Sequence, residues 1–146
     1  MLIINFYQTF PCIRKKLGII FTKRRMVFNH KPISQDKLLH VFKEIHSIVK
    51  EDKLSYFEFL YLCFLKLVSI EKPEFVILEV GLGGRLDAVN SEDADYVLLT
   101  SISRDHQDLL GRRYEQILKE KLGVLRSKQK FISALELNYL RSKTKE

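Results

Sequence analysis

The stretch "FVILEVGLGGRLDAVNSEDAD", residues 75–95, decides the fold. From Phe75 to Val80 it is apolar except for Glu79, and it shows no alternation of polar and apolar residues. A strand apolar on both faces belongs in a parallel sheet covered by helices on each side. The strand then breaks into Gly81, Gly83 and Gly84, half of the six glycines in the chain. Such a cluster lets the backbone turn sharply and come close to a ligand. A short polar loop with Arg85, Asp87 and Asn90 follows. The spacing G-x-G-G is not a phosphate loop, and the pattern G-x-x-x-x-G-K-[ST] occurs nowhere in the 146 residues.

Working outward, "YVLLTSI" (Tyr96 to Ile102) reads as a second buried strand, "KLGIIFT" (Lys16 to Thr22) as another, and "KFISAL" (Lys130 to Leu135) as a fourth. Between the strands lie helical patterns. "ISQDKLLHVFKEIHSIVKE" is amphipathic, with Ser34 as N-cap. "SYFEFLYLCFLKLVSIEK" is apolar nearly all round, which predicts a mostly buried helix. Its start, Ser55 with Glu58 three residues later, has the form of a capping box. "RYEQILKEKLGVL" predicts a helix ending near Gly123. "KRRMVFNHKP" is a loop or hairpin-like connection, residues 1–13 fit no pattern, and the tail 136–146 is polar. The expected class is α/β, a mostly parallel sheet with helices on both faces.

Composition narrows the function. With 46% hydrophobic and 29% charged residues the chain suits a globular domain with its own core. Two cysteines, Cys12 and Cys63, far apart, make neither a disulfide framework nor a zinc cluster and point to a reducing, cytoplasmic setting. The net charge of +7 raises nucleic-acid binding as a reading, but no aromatic residues alternate with the basic clusters as a single-strand platform requires. "FEFLYLCFLKLVSI" is too short and too charged to span a membrane, and the N-terminus lacks the leading basic region of a signal peptide.

In open parallel sheets, ligands sit beyond the carboxyl ends of the strands. Glu79 falls there, with Thr100, Ser101, Ser103, Asp105 and His106 following the neighbouring strand. A carboxylate and an imidazole at adjacent strand ends suit a divalent cation, and an oxygen-rich set favours magnesium or manganese over zinc. The alternative is a Glu–Arg pair with a capping Asp.

Four segments together resemble the folylpolyglutamate synthase and dihydrofolate synthase family of the Mur ligase superfamily. "LEVGLGGRLDAVN" looks like its signature, "LSYFEFLYLCFL" like its L-T-[YF]-F-E helix start, "LLTSISRDHQDLLG" like its T-S-I-G-x-D-H-x-x-x-L-G segment, and "ILKEKLGVLR" like its I-A-x-E-K-A-G-I segment. Order and spacing agree over roughly residues 16 to 132.

The resemblance implies a partial Mur-ligase-type ATPase domain over residues 16–135. It also implies a cytoplasmic, monomeric enzyme that joins L-glutamate to dihydropteroate or a folate with ATP, through an acyl phosphate. Glu79 and His106 would be magnesium ligands, and Lys121 would match the family's carbamylated lysine. Ser55, Tyr56, Phe57 and Glu58, with Leu86, Asp87 and Ala88, would contact the pterin-bearing substrate. Phe57 would stack on the pterin, and Asp87 would bond its amino-pyrimidine edge. The chain also departs from the family pattern. The G-T-N-G-K-G-S-T loop is missing, Thr22 runs into Lys23-Arg24-Arg25 instead of T-S-P-H-L, and Ser103 and Arg104 replace Gly and Leu. The expectation is therefore an internal piece of the ATPase domain, without its phosphate loop and C-terminal domain and inactive alone. The competing expectation is a noncatalytic α/β remnant that binds a folate, a metal or a protein partner.

Overall fold

The computed structural model describes residues 2–5, 18–21, 26–28, 31–50, 53–100, 102 and 107–135, which fall into two compact units. The first unit holds residues 10–78 and the second holds residues 1–9 with 79–146.

In the unit of residues 10–78, β2 (Gly18–Phe21) pairs in parallel with β5 (Phe75–Glu79). On the other side of β2 the chain doubles back as β3 (Met26–Phe28) and β4 (Lys31–Pro32), both antiparallel. The connection expected to be hairpin-like thus adds two strands. Ile77 and Leu78, consecutive on β5 and so on opposite faces, are both buried, as a doubly covered strand requires.

Two helices follow β4 in the chain. In α1 (Gln35–Val49) the Ser34 side chain accepts the amide of Lys37, and the helix buries Val41 and Ile45. The expected capping box opens α2 (Tyr56–Glu71): Ser55 Oγ accepts the Glu58 amide, and the Glu58 carboxylate accepts the Ser55 amide at 2.7 Å. The helix buries Tyr61, Cys63, Phe64 and Leu67 but leaves Tyr56 and Ile70 in water, so its covered face is narrower than the composition suggested. The core centres on Phe21, whose ring lies 5.4 Å from Phe57, 5.4 Å from Tyr61 and 4.9 Å from Phe64. These tilted arrangements suit aromatic rings, whose positive edges prefer the faces of their neighbours. Lys37 pairs with Glu71, and Lys66 pairs with Glu44, across the two helices.

The other unit is built on three parallel strands, β1 (Leu2–Asn5), β6 (Tyr96–Leu99) and β7 (Lys130–Ser133), with β6 in the middle. β1 is the strand that no sequence pattern announced. After β6 come a single turn, α3 (Gln107–Leu110), and then α4 (Tyr114–Leu122), which ends at Gly123 as expected. Buried Leu99 and Leu118 pack with Ile102, Leu122 and Leu135, so α4 lies on the sheet that β6 centres.

Candidate functional site

β5 ends at Glu79, whose side chain is half-buried, and the chain then enters the glycine turn. Asp87 organises that turn. Its Oδ2 accepts the amides of Gly81 and Leu82, both at 2.8 Å, and its Oδ1 accepts the amide of Val89 at 3.1 Å. A carboxylate offers about four acceptor positions, so three are used inside the loop and one remains for an outside donor. The third bond caps a short 3-10 helix, Ala88–Ser91, which buries Val89.

The glycines meet a need that the sequence reading assigned to a ligand. Gly83 has φ +68°, a left-handed conformation open to glycine at little cost. At Gly84 an added Cβ would stand 2.9 Å from the carbonyl oxygen of Glu120, 3.1 Å from that of Lys121 and 3.0 Å from Val124. The close approach is thus between this loop and the last turn of α4. The contact is bonded as well as packed. The Arg85 amide donates to the Glu120 carbonyl at 2.9 Å, and the Arg85 guanidinium pairs with the Glu120 carboxylate at 3.1 Å.

Lys121, half-buried on α4, therefore neighbours the loop that carries Asp87. Leu86 is 80% exposed, the tip of the turn, while Ala88 is half-buried. Segments far apart in the chain, Glu79–Asn90 and Glu120–Arg126, form one assembly in this unit.

The other predicted residues belong to the unit of residues 10–78. Ser55 and Glu58 are engaged with each other in the capping box. Tyr56 is 77% exposed, and Phe57 lies half-buried beside Phe21. Hydrogen bonds from Ser55 hold the Glu58 carboxyl below its ordinary pKa. His106, with Ser101, Ser103 and Asp105, falls outside the described residues, so the expected pairing of Glu79 with His106 does too. Glu79 alone brings a hard oxygen donor of the kind magnesium and manganese prefer. Among the described residues, no helix is long and apolar enough to cross a membrane.

Sequence reasoning missed Asn90 and Arg126 as partners. Arg126 Nη1 donates to Asn90 Oδ1 at 2.9 Å, and Nη2 donates to the Asn90 carbonyl. Asn90 stood in the quoted signature and Arg126 closed the "ILKEKLGVLR" segment, but nothing in either segment announced their contact.

No protein-family model matches the chain. The dihydrofolate synthase/folylpolyglutamate synthase of Escherichia coli is 49% identical over 88 residues, which are 60% of this chain and 21% of that protein. The structure is similar to that of Escherichia coli FolC in complex with DHPP and ADP, with a TM-score of 0.77 and 35% identity over 81% of this chain and 30% of that one. It is similar also to the bifunctional folylpolyglutamate synthase/dihydrofolate synthase of Yersinia pestis complexed with AMPPNP and a Mn ion, with a TM-score of 0.75 and 35% identity over 81% of this chain and 30% of that one. The chain thus spans about a fifth of the curated relative's length.

Proposed function

We propose that this chain, which belongs to the folylpolyglutamate synthase and dihydrofolate synthase family, carries a substrate- and metal-facing part of an ATP-dependent carboxylate–amine ligase. The reaction is the attachment of L-glutamate to dihydropteroate or a folate. ATP transfers its γ-phosphoryl group to the carboxylate; the glutamate amine then attacks the acyl carbon, phosphate leaves and the amide forms. One observation carries this reading. Two of the four resembling segments, Leu78–Asn90 and Ile117–Arg126, are bonded to each other through Arg85 and Glu120. They form one assembly rather than separate sequence coincidences.

In this reading Ser55, Tyr56, Phe57, Glu58, Leu86, Asp87 and Ala88 face the pterin-bearing substrate. Asp87 keeps one acceptor position for its amino-pyrimidine edge after serving three loop amides. Phe57 offers its ring for stacking. Glu79 and His106 would hold a divalent cation, magnesium, which neutralises phosphate oxygens when bound. Lys121 would be carbamylated, exchanging a cation for a carboxylate. The domain comprises residues 16–135, and the chain acts in the cytoplasm as a monomer.

The 146 residues contain no G-x-x-x-x-G-K-[ST] loop, whose successive amides and lysine hold the β- and γ-phosphates. Losing one preorganised donor costs on the order of 10²–10³ in rate. Glutamate incorporation into dihydropteroate or tetrahydrofolate, with ATP, magnesium and bicarbonate, is therefore expected to equal the no-enzyme control, while dihydropteroate itself binds. Turnover that disappears in Glu79→Ala would show a complete catalytic site. Loss of dihydropteroate binding would remove the ligase reading altogether.

A further inference from the structure

We infer that Asn90 and Arg126 form a latch that seats the Asp87 loop on both sides of Lys121, and that they are positioning residues for the pterin-bearing substrate. The inference rests on the ligase reading for its ligand, and on the hydrogen bonds alone for the latch.

Both polar atoms of the Asn90 side chain are engaged. Its Nδ2 donates to the carbonyl of Arg85 at 2.9 Å and, more weakly, to that of Gly123 at 3.4 Å. Its Oδ1 accepts from Arg126 Nη1 at 2.9 Å. The Arg126 guanidinium then spans three acceptors: Asn90 Oδ1, the Asn90 carbonyl, and Asp93 at 3.1 Å. A planar fork of fixed donors suits this geometry, and a lysine could not reproduce it. Asp93 is 86% exposed, so its ion pair contributes little beside the two bonds to Asn90.

The bonds to α4 bracket Lys121. The Arg85 amide holds the carbonyl of Glu120, the residue before it; Asn90 holds the carbonyl of Gly123, two residues after it. At the end of α4 the last carbonyls lack helical partners, so bonds from the loop complete the terminus as well as fix it. Lys121 thus stands on a short backbone segment tied at both ends to the loop whose Asp87 carboxylate has one acceptor position left. Neither Asn90 nor Arg126 needs to touch a ligand for their loss to be felt. A site displaced by about 1 Å can lose on the order of 10²-fold in rate.

The test uses the full chain, residue-resolved amide exchange and titration with 7,8-dihydropteroate. Three variants are compared with wild type: Arg126→Ala, Arg126→Lys and Asn90→Asp, the last nearly isosteric but placing an acceptor where Nδ2 donates. All three are expected to speed exchange of the Arg85 amide, which crosses to α4, by about tenfold, the equivalent of one lost charge-assisted hydrogen bond. The Gly81 and Leu82 amides, which Asp87 holds from within the loop, should keep their protection. Dihydropteroate affinity should fall about tenfold in step with the Arg85 amide. Unchanged Arg85 exchange in all three variants overturns the latch. Faster exchange with unchanged affinity overturns the positioning role. If wild type binds no dihydropteroate, the ligase reading fails, and the exchange result alone still decides the latch.

Discussion

Asp87 Oδ2 accepts the amide of Gly81 at 2.8 Å, so the carboxylate expected to meet a substrate is also the group that shapes the turn leading to it. Removing it would leave the amides of Gly81, Leu82 and Val89 without that acceptor. Bonds to charged groups are worth about 1.5–3 kcal/mol each, but water can replace part of them in a half-exposed loop. Asp87→Ala is expected to destabilise the protein by roughly 2–4 kcal/mol, read as a lower urea midpoint. Asp87→Asn, which keeps one carbonyl acceptor, should cost less. Equal midpoints for wild type and Asp87→Ala would mean that the turn holds itself.

Gly84→Ala tests the seating of this loop on α4. The new Cβ would meet two backbone carbonyl oxygens, of Glu120 and Lys121, neither of which can move without the helix end. Overpacking of this kind costs about 1–3 kcal/mol. Thermal denaturation should show the loss, and a stability equal to wild type would show that the loop and α4 separate freely.

The capping box of α2 makes a prediction about acid. The Glu58 carboxyl titrates below its ordinary value because the Ser55 side chain and amide bond its charged form. A carboxyl whose folded pKa is depressed adds stability above its unfolded pKa, and that stability is lost as the pH falls through the folded value. Wild type should therefore be more stable than Glu58→Gln at pH 7, and the gap should close on acidification below the ordinary carboxylate range. Ser55→Ala should cost about 1 kcal/mol at neutral pH. A gap between wild type and Glu58→Gln that is the same at pH 7 and pH 3 would contradict this assignment.

Cys63 is fully buried, and burial raises its thiol pKa to about 11. The thiolate is the reactive form, so the folded protein should resist a disulfide reagent at pH 8. With Cys12→Ser as background, labelling should proceed only at the rate of unfolding and become immediate in urea. Rapid labelling in the native state would place Cys63 at the surface.

The box at Ser55 and Glu58 was legible because it is local: three residues separate its partners, and the pattern names both. β5 was legible because its apolar run, with Ile77 and Leu78 side by side, is short and stops at glycines, which suits a doubly covered strand better than a helix. β1 was not, because Leu2–Asn5 becomes a strand by pairing with Tyr96–Leu99, and no spacing within the first 13 residues records that partner. The site divides in the same way. Asp87 stood out through its glycine neighbours. Asn90 and Arg126 acquire their roles only when a loop and a helix end 36 residues apart meet. The glycines misled in one respect: their pattern announces a close approach without naming what approaches, and at Gly84 it is the end of α4.

The most direct measurement of the central claim is equilibrium binding of 7,8-dihydropteroate to the intact chain, followed by ligand fluorescence, for wild type and Phe57→Leu. Leucine keeps an apolar side chain beside Phe21 while removing the ring that would stack on the pterin. Stacking of this kind is worth about 0.5–1.5 kcal/mol beyond the area buried. The account predicts saturable binding by wild type and an affinity several-fold weaker in Phe57→Leu. No saturable binding by a folded wild-type chain, or equal affinity in both proteins, would contradict it.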